Sequence, residues 1–206
     1  GTGITLNGDV TTSSTQTYTG AVTLGNSITL AATNSAVTFS GSGSTVNGAK
    51  DFTINAGSGA ISFGGVVGGS SVLSSLTLTT SNSTGITLNG NITTTGAQAY
   101  NGNTTLTANT VLTTTNSDVS FGGTLNGNAA GKTLTIAAGT GAVTFTGAVG
   151  GTAALGATGI TAATMTNSST FVGNNTLGVT GNAEINGAIS GITTLSVSGT
   201  ASLGAN

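Results

Sequence analysis

Cysteine, proline, histidine, tryptophan and arginine are all missing from this chain of 206 residues. Without histidine or cysteine no Ser–His or Cys–His nucleophilic pair can be assembled, and the lack of cysteine suits a protein that avoids adventitious disulfides outside the cell. Charge is almost as scarce, because Lys50, Lys132, Asp9, Asp51, Asp118 and Glu184 are the only formally charged side chains. A net charge of −2 with no basic stripe offers nothing to a nucleic-acid backbone. No apolar run approaches the about 20 residues of a membrane-spanning helix, so no membrane insertion is expected, and no charged-then-apolar leader opens the chain. The first residue is Gly, which leads us to expect a slice of a longer polypeptide whose export signal lies elsewhere.

What fills the chain is Gly, at 36 positions, together with Thr, Ser, Asn and Ala. Small polar residues alone cannot offset chain entropy and would leave the chain disordered. Against disorder stand Val, Ile, Leu and Phe, which are spread evenly and fall in short alternating runs.

Those runs repeat. The segment from Thr2, TGITLNGDVTTSSTQTYTGAVTL, returns from Thr84 as TGITLNGNITTTGAQAYNGNTTL. The same offset of 82 lays Tyr18 on Tyr100, Leu24 on Leu106, Phe39 on Phe121, Lys50 on Lys132, Ile54 on Ile136 and Phe63 on Phe145. A single repeat domain spanning 1-206 is therefore expected, with blocks 1-82 and 83-164 and a divergent remainder, 165-206. Each block divides into about four units of roughly 20 residues, within the range of solenoid repeats; in the first they start near Gly3, Gly25, Gly43 and Gly65.

Inside the units the apolar period is two, as in Ile4/Leu6, Val22/Leu24, Val37/Phe39, Phe52/Ile54 and Ile61/Phe63. Such runs make strands of a few residues with one face buried and Thr or Ser on the other. Asn7-Gly8, Asn47-Gly48 and Gly57 to Gly59 supply the tight corners between them. Asn-Gly between alternating runs also signals hairpins, but hairpins do not account for a unit of roughly 20 residues recurring at one phase, and a coil of three short parallel strands does. The fold class expected is all-β, a parallel β-helix or β-solenoid of about ten coils with like side chains stacked in ladders. Gly1 leads almost at once into a strand and Leu203-Gly204-Ala205-Asn206 reads as the start of a corner, so neither end has a cap. The array is expected to continue both ways, meeting neighbouring solenoid segments or identical subunits through open ends.

Chemistry is thin. Polysaccharide-cleaving sites need clustered carboxylates with a cation or basic groups, whereas here Lys50–Asp51 is the one close opposite-charge pair, and Thr133 stands where the second block would repeat Asp51. Three Asp residues cannot line a calcium roll that needs one per repeat. A Ser–Lys dyad on Lys50 or Lys132 has no supporting context. The Gly-rich stretch Gly64 to Gly69 is followed by no helix that could aim amides at a phosphate. Phe39, Phe63, Phe121 and Phe145 fall at the inward phase and read as core. Tyr18 and Tyr100 each follow a Gln-x step in polar sequence, which leaves a surface position open for them. Sequons at Asn82, Asn91, Asn103, Asn167 and Asn174 are read as incidental in so Asn- and Thr-rich a chain. No catalytic, cofactor-binding or metal-binding residue is expected, and the chain is read as a non-enzyme.

The succession ITLNGDVTTSSTQTYTGAVTL, then AVTFSGSGSTVNGAKDFTINAGSGAISFGGVVGG, resembles the β-strand repeats of large bacterial surface proteins of the filamentous-haemagglutinin type, with related repeats in autotransporter adhesins. That resemblance implies a right-handed β-helix, export to the bacterial cell surface or beyond, and a role in adhesion, aggregation or matrix building, with host, cell or matrix surfaces as partners. Three functions follow as expectations: a shaft or scaffold segment, a fibre or sheath subunit stacking end to end, and an ice-binding array of Thr-rich strands such as Thr15-Gln16-Thr17.

Overall fold

The computed structural model describes residues 3–41 and 43–204. The strand entry expected at Gly1 and the far half of the corner expected at Leu203-Gly204-Ala205-Asn206 lie outside them.

The chain winds into a parallel β-solenoid of about nine turns with about 21 residues per turn, without helix. Each turn has three faces. The first begins with Ile4–Leu6, Val22–Leu24 and Val46–Asn47; the second with Val10–Thr12, Ile28–Ala32 and Asp51–Asn55; the third with Gln16–Thr19, Val37–Ser40 and Ile61–Phe63. Every described strand pairs in parallel with its counterpart one turn on, which removes the hairpin alternative. Near the C-terminal end the corner between the first and second faces straightens, so Thr158–Asn167 and Thr176–Ile185 each run across both and join them into one sheet.

Alternation fixes which side chains enter the core. Along Ile28–Ala32 and Ile61–Phe63 every second residue is buried, and the intervening Thr or Ser is half exposed. Stacking at the parallel-strand spacing of about 4.8 Å then turns each inward position into a ladder. Tyr18, Phe39 and Phe63 stack on the third face with ring centroids 5.1 and 4.9 Å apart, and Tyr100, Phe121 and Phe145 stack on the second at 4.8 and 5.4 Å.

The two stacks are equivalent in sequence but lie on adjoining faces, and this corrects the expected phase. From Tyr18 the chain crosses the second face at Leu30, Ile54 and Leu78 before meeting it again at Tyr100, so 82 residues make three turns and two-thirds of another. The block therefore does not hold four whole units, and its copies do not stack in register. Each copy is carried one-third of a turn round the axis. Ile4–Leu6 builds the first face and its twin Ile86–Leu88 the third, while Val10 lies on the second face and its twin Ile92 on the first. One sequence thus serves more than one face, which requires the three faces to be nearly interchangeable.

Tyr100 corrects a second reading. It is fully buried, and Tyr18 is half buried. Gln98, itself buried, fills the corner beside Tyr100: its Nε2 donates to the carbonyl oxygens of Ile92 and Thr113 and to Thr94 Oγ1, and its Oε1 accepts the Tyr100 hydroxyl at 2.8 Å. Gln16 and Tyr18 make the same set with Val10, Ala31 and Thr12. A buried polar group needs such partners, and the Gln-x-Tyr step supplies them from within two residues.

Candidate functional site

Corner chemistry decides what this surface can do. Turn after turn, an Asn or Asp side-chain oxygen accepts a backbone N–H of the next turn: Asp9 from Thr29, Asn34 from Ser58, Asn91 from Val111, Asn109 from Thr133, Asn116 from Thr140, Asp118 from Ala142, Asn126 from Thr152 and Asn182 from Thr200, at 2.7 to 3.1 Å. Asn34 and Asn116 adopt left-handed backbone at φ 53° and 55°, and beneath each the next turn places a left-handed Gly57 or Gly139. A Cβ on Gly57 would meet Asn34 Oδ1 at 2.5 Å, so the corner needs glycine on both counts.

The carboxylates are separate from one another. Among the described residues no three acidic side chains come together as a metal cluster. Asp51 accepts Ser75 Oγ at 2.7 Å and Ser27 Oγ at 3.4 Å, from the turns above and below it, and Glu184 accepts Thr166 Oγ1 at 3.2 Å. Lys50 and Lys132 do not share a face. Lys50 lies in the corner that leads into the second face and Lys132 in the corner between the third and first, again one-third of a turn apart. Burial pushes the Tyr100 phenol far above its ordinary value and the Tyr18 phenol upward.

A notch of about 360 Å³ opens where the second face turns into the third. The third-face ladder gives its cause: Ile61 to Ile86 spans 25 residues and Ile86 to Thr104 only 18, so the short corner at Gly102-Asn103 sits recessed between longer ones. Its amides are already engaged, since Asn82 Nδ2 donates to Ser58 O, Asn82 Oδ1 accepts from Thr84 N, and Asn103 Oδ1 accepts from Thr124 N. Of the other sequon positions, Asn91 and Asn174 are exposed while Asn167 is wholly buried in the second-face ladder.

No family model, curated protein or solved structure shows a significant match to this chain. The reading of its surface rests on its own residues. No described helix is long and apolar enough to cross a membrane. Sequence reasoning placed the phenylalanines in the core; it missed the Asn and Asp staples, whose only linear signal is a polar residue recurring at corners whose spacing varies.

Proposed function

We propose that this chain is a structural segment of a secreted or cell-surface bacterial protein, serving as a shaft or scaffold without catalysis. The observation that carries this reading is the use of corner polar groups: Asn34, Asn116, Asn126 and their counterparts are spent on holding one turn to the next. The resemblance to adhesin repeats supports the extracellular placement and a role in presenting adhesive parts to host, cell or matrix surfaces.

Duplicating the block tests the shaft reading. Inserting a second copy of residues 2–83 before Thr84 reproduces the junction the chain already makes, and each copy adds three and two-thirds turns. In electron micrographs the rod lengthens by about 18 Å per block at constant width. Globular or frayed particles would refute it.

A second reading, a fibre subunit stacked end to end, is favoured by the last turn, where Leu203 is 75% and Leu195 44% exposed on strands with a free edge. Filaments one rod wide in concentrated samples, abolished by Leu203→Lys, support that reading; isolated rods argue against it. Ice binding by the Thr rows remains the third, and absence of thermal hysteresis removes it.

A further inference from the structure

The six charged side chains are unevenly placed. Asp51 and Glu184 lie on second-face strands, and Asp9, Lys50 and Asp118 lie in the corner leading into that face. Lys132 occupies the opposite corner. No strand of the first or third face carries a charge over its whole described length.

Those two faces are lined outward by short hydroxyl side chains. Thr23, Thr135 and Thr161 are exposed on the first, and Thr17, Thr38, Ser62, Thr87 and Thr105 run as one row along the third. Lysine on exposed β-structure is a common device for keeping other chains away, and it is missing from both. Threonine is stiff about χ1, so pressing such a row against another surface costs far less side-chain entropy than pressing lysine or glutamate would. The rotation of the block extends the point, since Thr5 and Thr23 on the first face have Thr87 and Thr105 as their twins on the third.

From this charge map we infer that the first and third faces are lateral contact surfaces for further copies of this chain, laying shafts side by side. The inference rests on the shaft reading and adds a partner to it. Area sets the strength. Nine turns at about 4.8 Å make a face about 43 Å long and, with strands of three to five residues, about 12 Å wide. That gives about 500 Å² per partner, below the about 800 Å² per partner of a standard stable interface. One face-to-face contact is therefore weak. Association strengthens when both faces are used at once, and with every added turn, because the separate contacts are linked through one rigid rod.

The test is analytical ultracentrifugation of this chain up to about 1 mM, the range in which weak contacts populate, with electron microscopy of the same samples. The wild type is expected to associate side by side, no more weakly at high salt than at low. Thr135→Lys with Thr161→Lys, combined with Thr17→Lys and Thr105→Lys, should weaken association at least tenfold, whereas Thr53→Lys with Thr144→Lys on the second face should leave it within about twofold. As a readout that does not depend on the lysine variants folding, single spin labels at Thr135→Cys and Thr17→Cys should broaden with concentration, and one at Thr53→Cys should not. The inference is overturned by wild-type rods that stay single at the highest concentration, by filaments that lengthen without widening, by lysine variants that fold and associate as the wild type does, or by equal broadening at all three labels. Single rods would leave the shaft reading intact; particles that are not rods would sink that reading instead.

Discussion

Tyr100 stands 82 residues after Tyr18 and makes the same 2.8 Å hydrogen bond to the glutamine two residues before it, yet the two lie on adjoining faces of the solenoid. A local motif can move between faces in this way only if it carries its own corner. Gln98 meets that condition, because it satisfies three corner acceptors and is itself satisfied by Tyr100. The unequal burial of the two tyrosines then sets unequal consequences. Tyr100→Phe keeps the ring stacked on Phe121 but leaves Gln98 Oε1 buried without a donor, at a cost of about 1–3 kcal/mol. Tyr18→Phe should cost under about 1 kcal/mol, since water can reach the half-buried Gln16–Tyr18 pair. Paired urea titrations measure both, and an equal or larger loss in Tyr18→Phe would contradict the argument.

The same burial predicts alkaline sensitivity. The folded Tyr100 phenol sits above its unfolded value of about 10 because the phenolate would be desolvated. Its contribution to stability is complete below that unfolded value and is lost as pH climbs above it, when the unfolded chain ionises and the folded one does not. Absorbance at the tyrosinate band should therefore rise in two stages: Tyr18 first and reversibly, then Tyr100 together with loss of β-structure by circular dichroism. Tyr100→Phe should abolish the second stage of absorbance.

Asn116 separates two contributions that act together at the corners. Asn116→Asp keeps both the acceptor for Thr140 N and a side chain tolerant of left-handed backbone, so stability should be unchanged within about 0.5 kcal/mol. Asn116→Gly loses the hydrogen bond only, about 1 kcal/mol, and Asn116→Ala loses the bond and adds left-handed strain, about 2 kcal/mol. The rank order Asp, Gly, Ala in thermal midpoint is the check; Ala matching Gly would mean that the backbone stores no strain there.

Much of this fold could be read along the chain because its core obeys period two, as at Val37/Phe39 and Ile61/Phe63. Phase was harder to read. It depends on how many strands a block holds, and the stretch from Gly64 to Ser74 looks like one long loop although Val67 enters the core through isolated bridges to Val46 and Ile92. Turn lengths that vary from 18 to 25 residues hide the count further. Tyr100 was obscured by its polar neighbours, although it has the spacing to Phe121 that Tyr18 has to Phe39. The gathering of charges about the second face was likewise out of reach, since Asp9, Asp51, Asp118 and Glu184 come together only once the phase of every turn is known.

Phe121 tests the continuity of the aromatic stack. It is 1% exposed and lies between Tyr100 and Phe145, so Phe121→Ala opens a cavity that rigid neighbouring turns cannot close. A loss of about 3–5 kcal/mol is expected, with increased near-ultraviolet mobility of Tyr100 as the local sign. A loss below about 2 kcal/mol would mean that the turns collapse into the space.

Asn167 ends that ladder and offers the opposite experiment. It stacks between Phe145 and Ile185, is fully buried, and donates through Nδ2 to Ser169 O, while its Oδ1 has no partner. An orphaned buried acceptor costs about 1–3 kcal/mol. Asn167→Leu removes it and adds apolar contact with Phe145, while Ser169, being half exposed, can turn its freed carbonyl to water. The variant should gain about 1 kcal/mol and melt several degrees higher. It also erases the sequon at Asn167, so an unchanged mass on removing it from protein made in a glycosylating host would agree with a position closed to modifying enzymes. A lower melting temperature would mean that the amide at this point on the ladder holds the corner in place, and that Ser169 needs its donor more than the core needs another leucine.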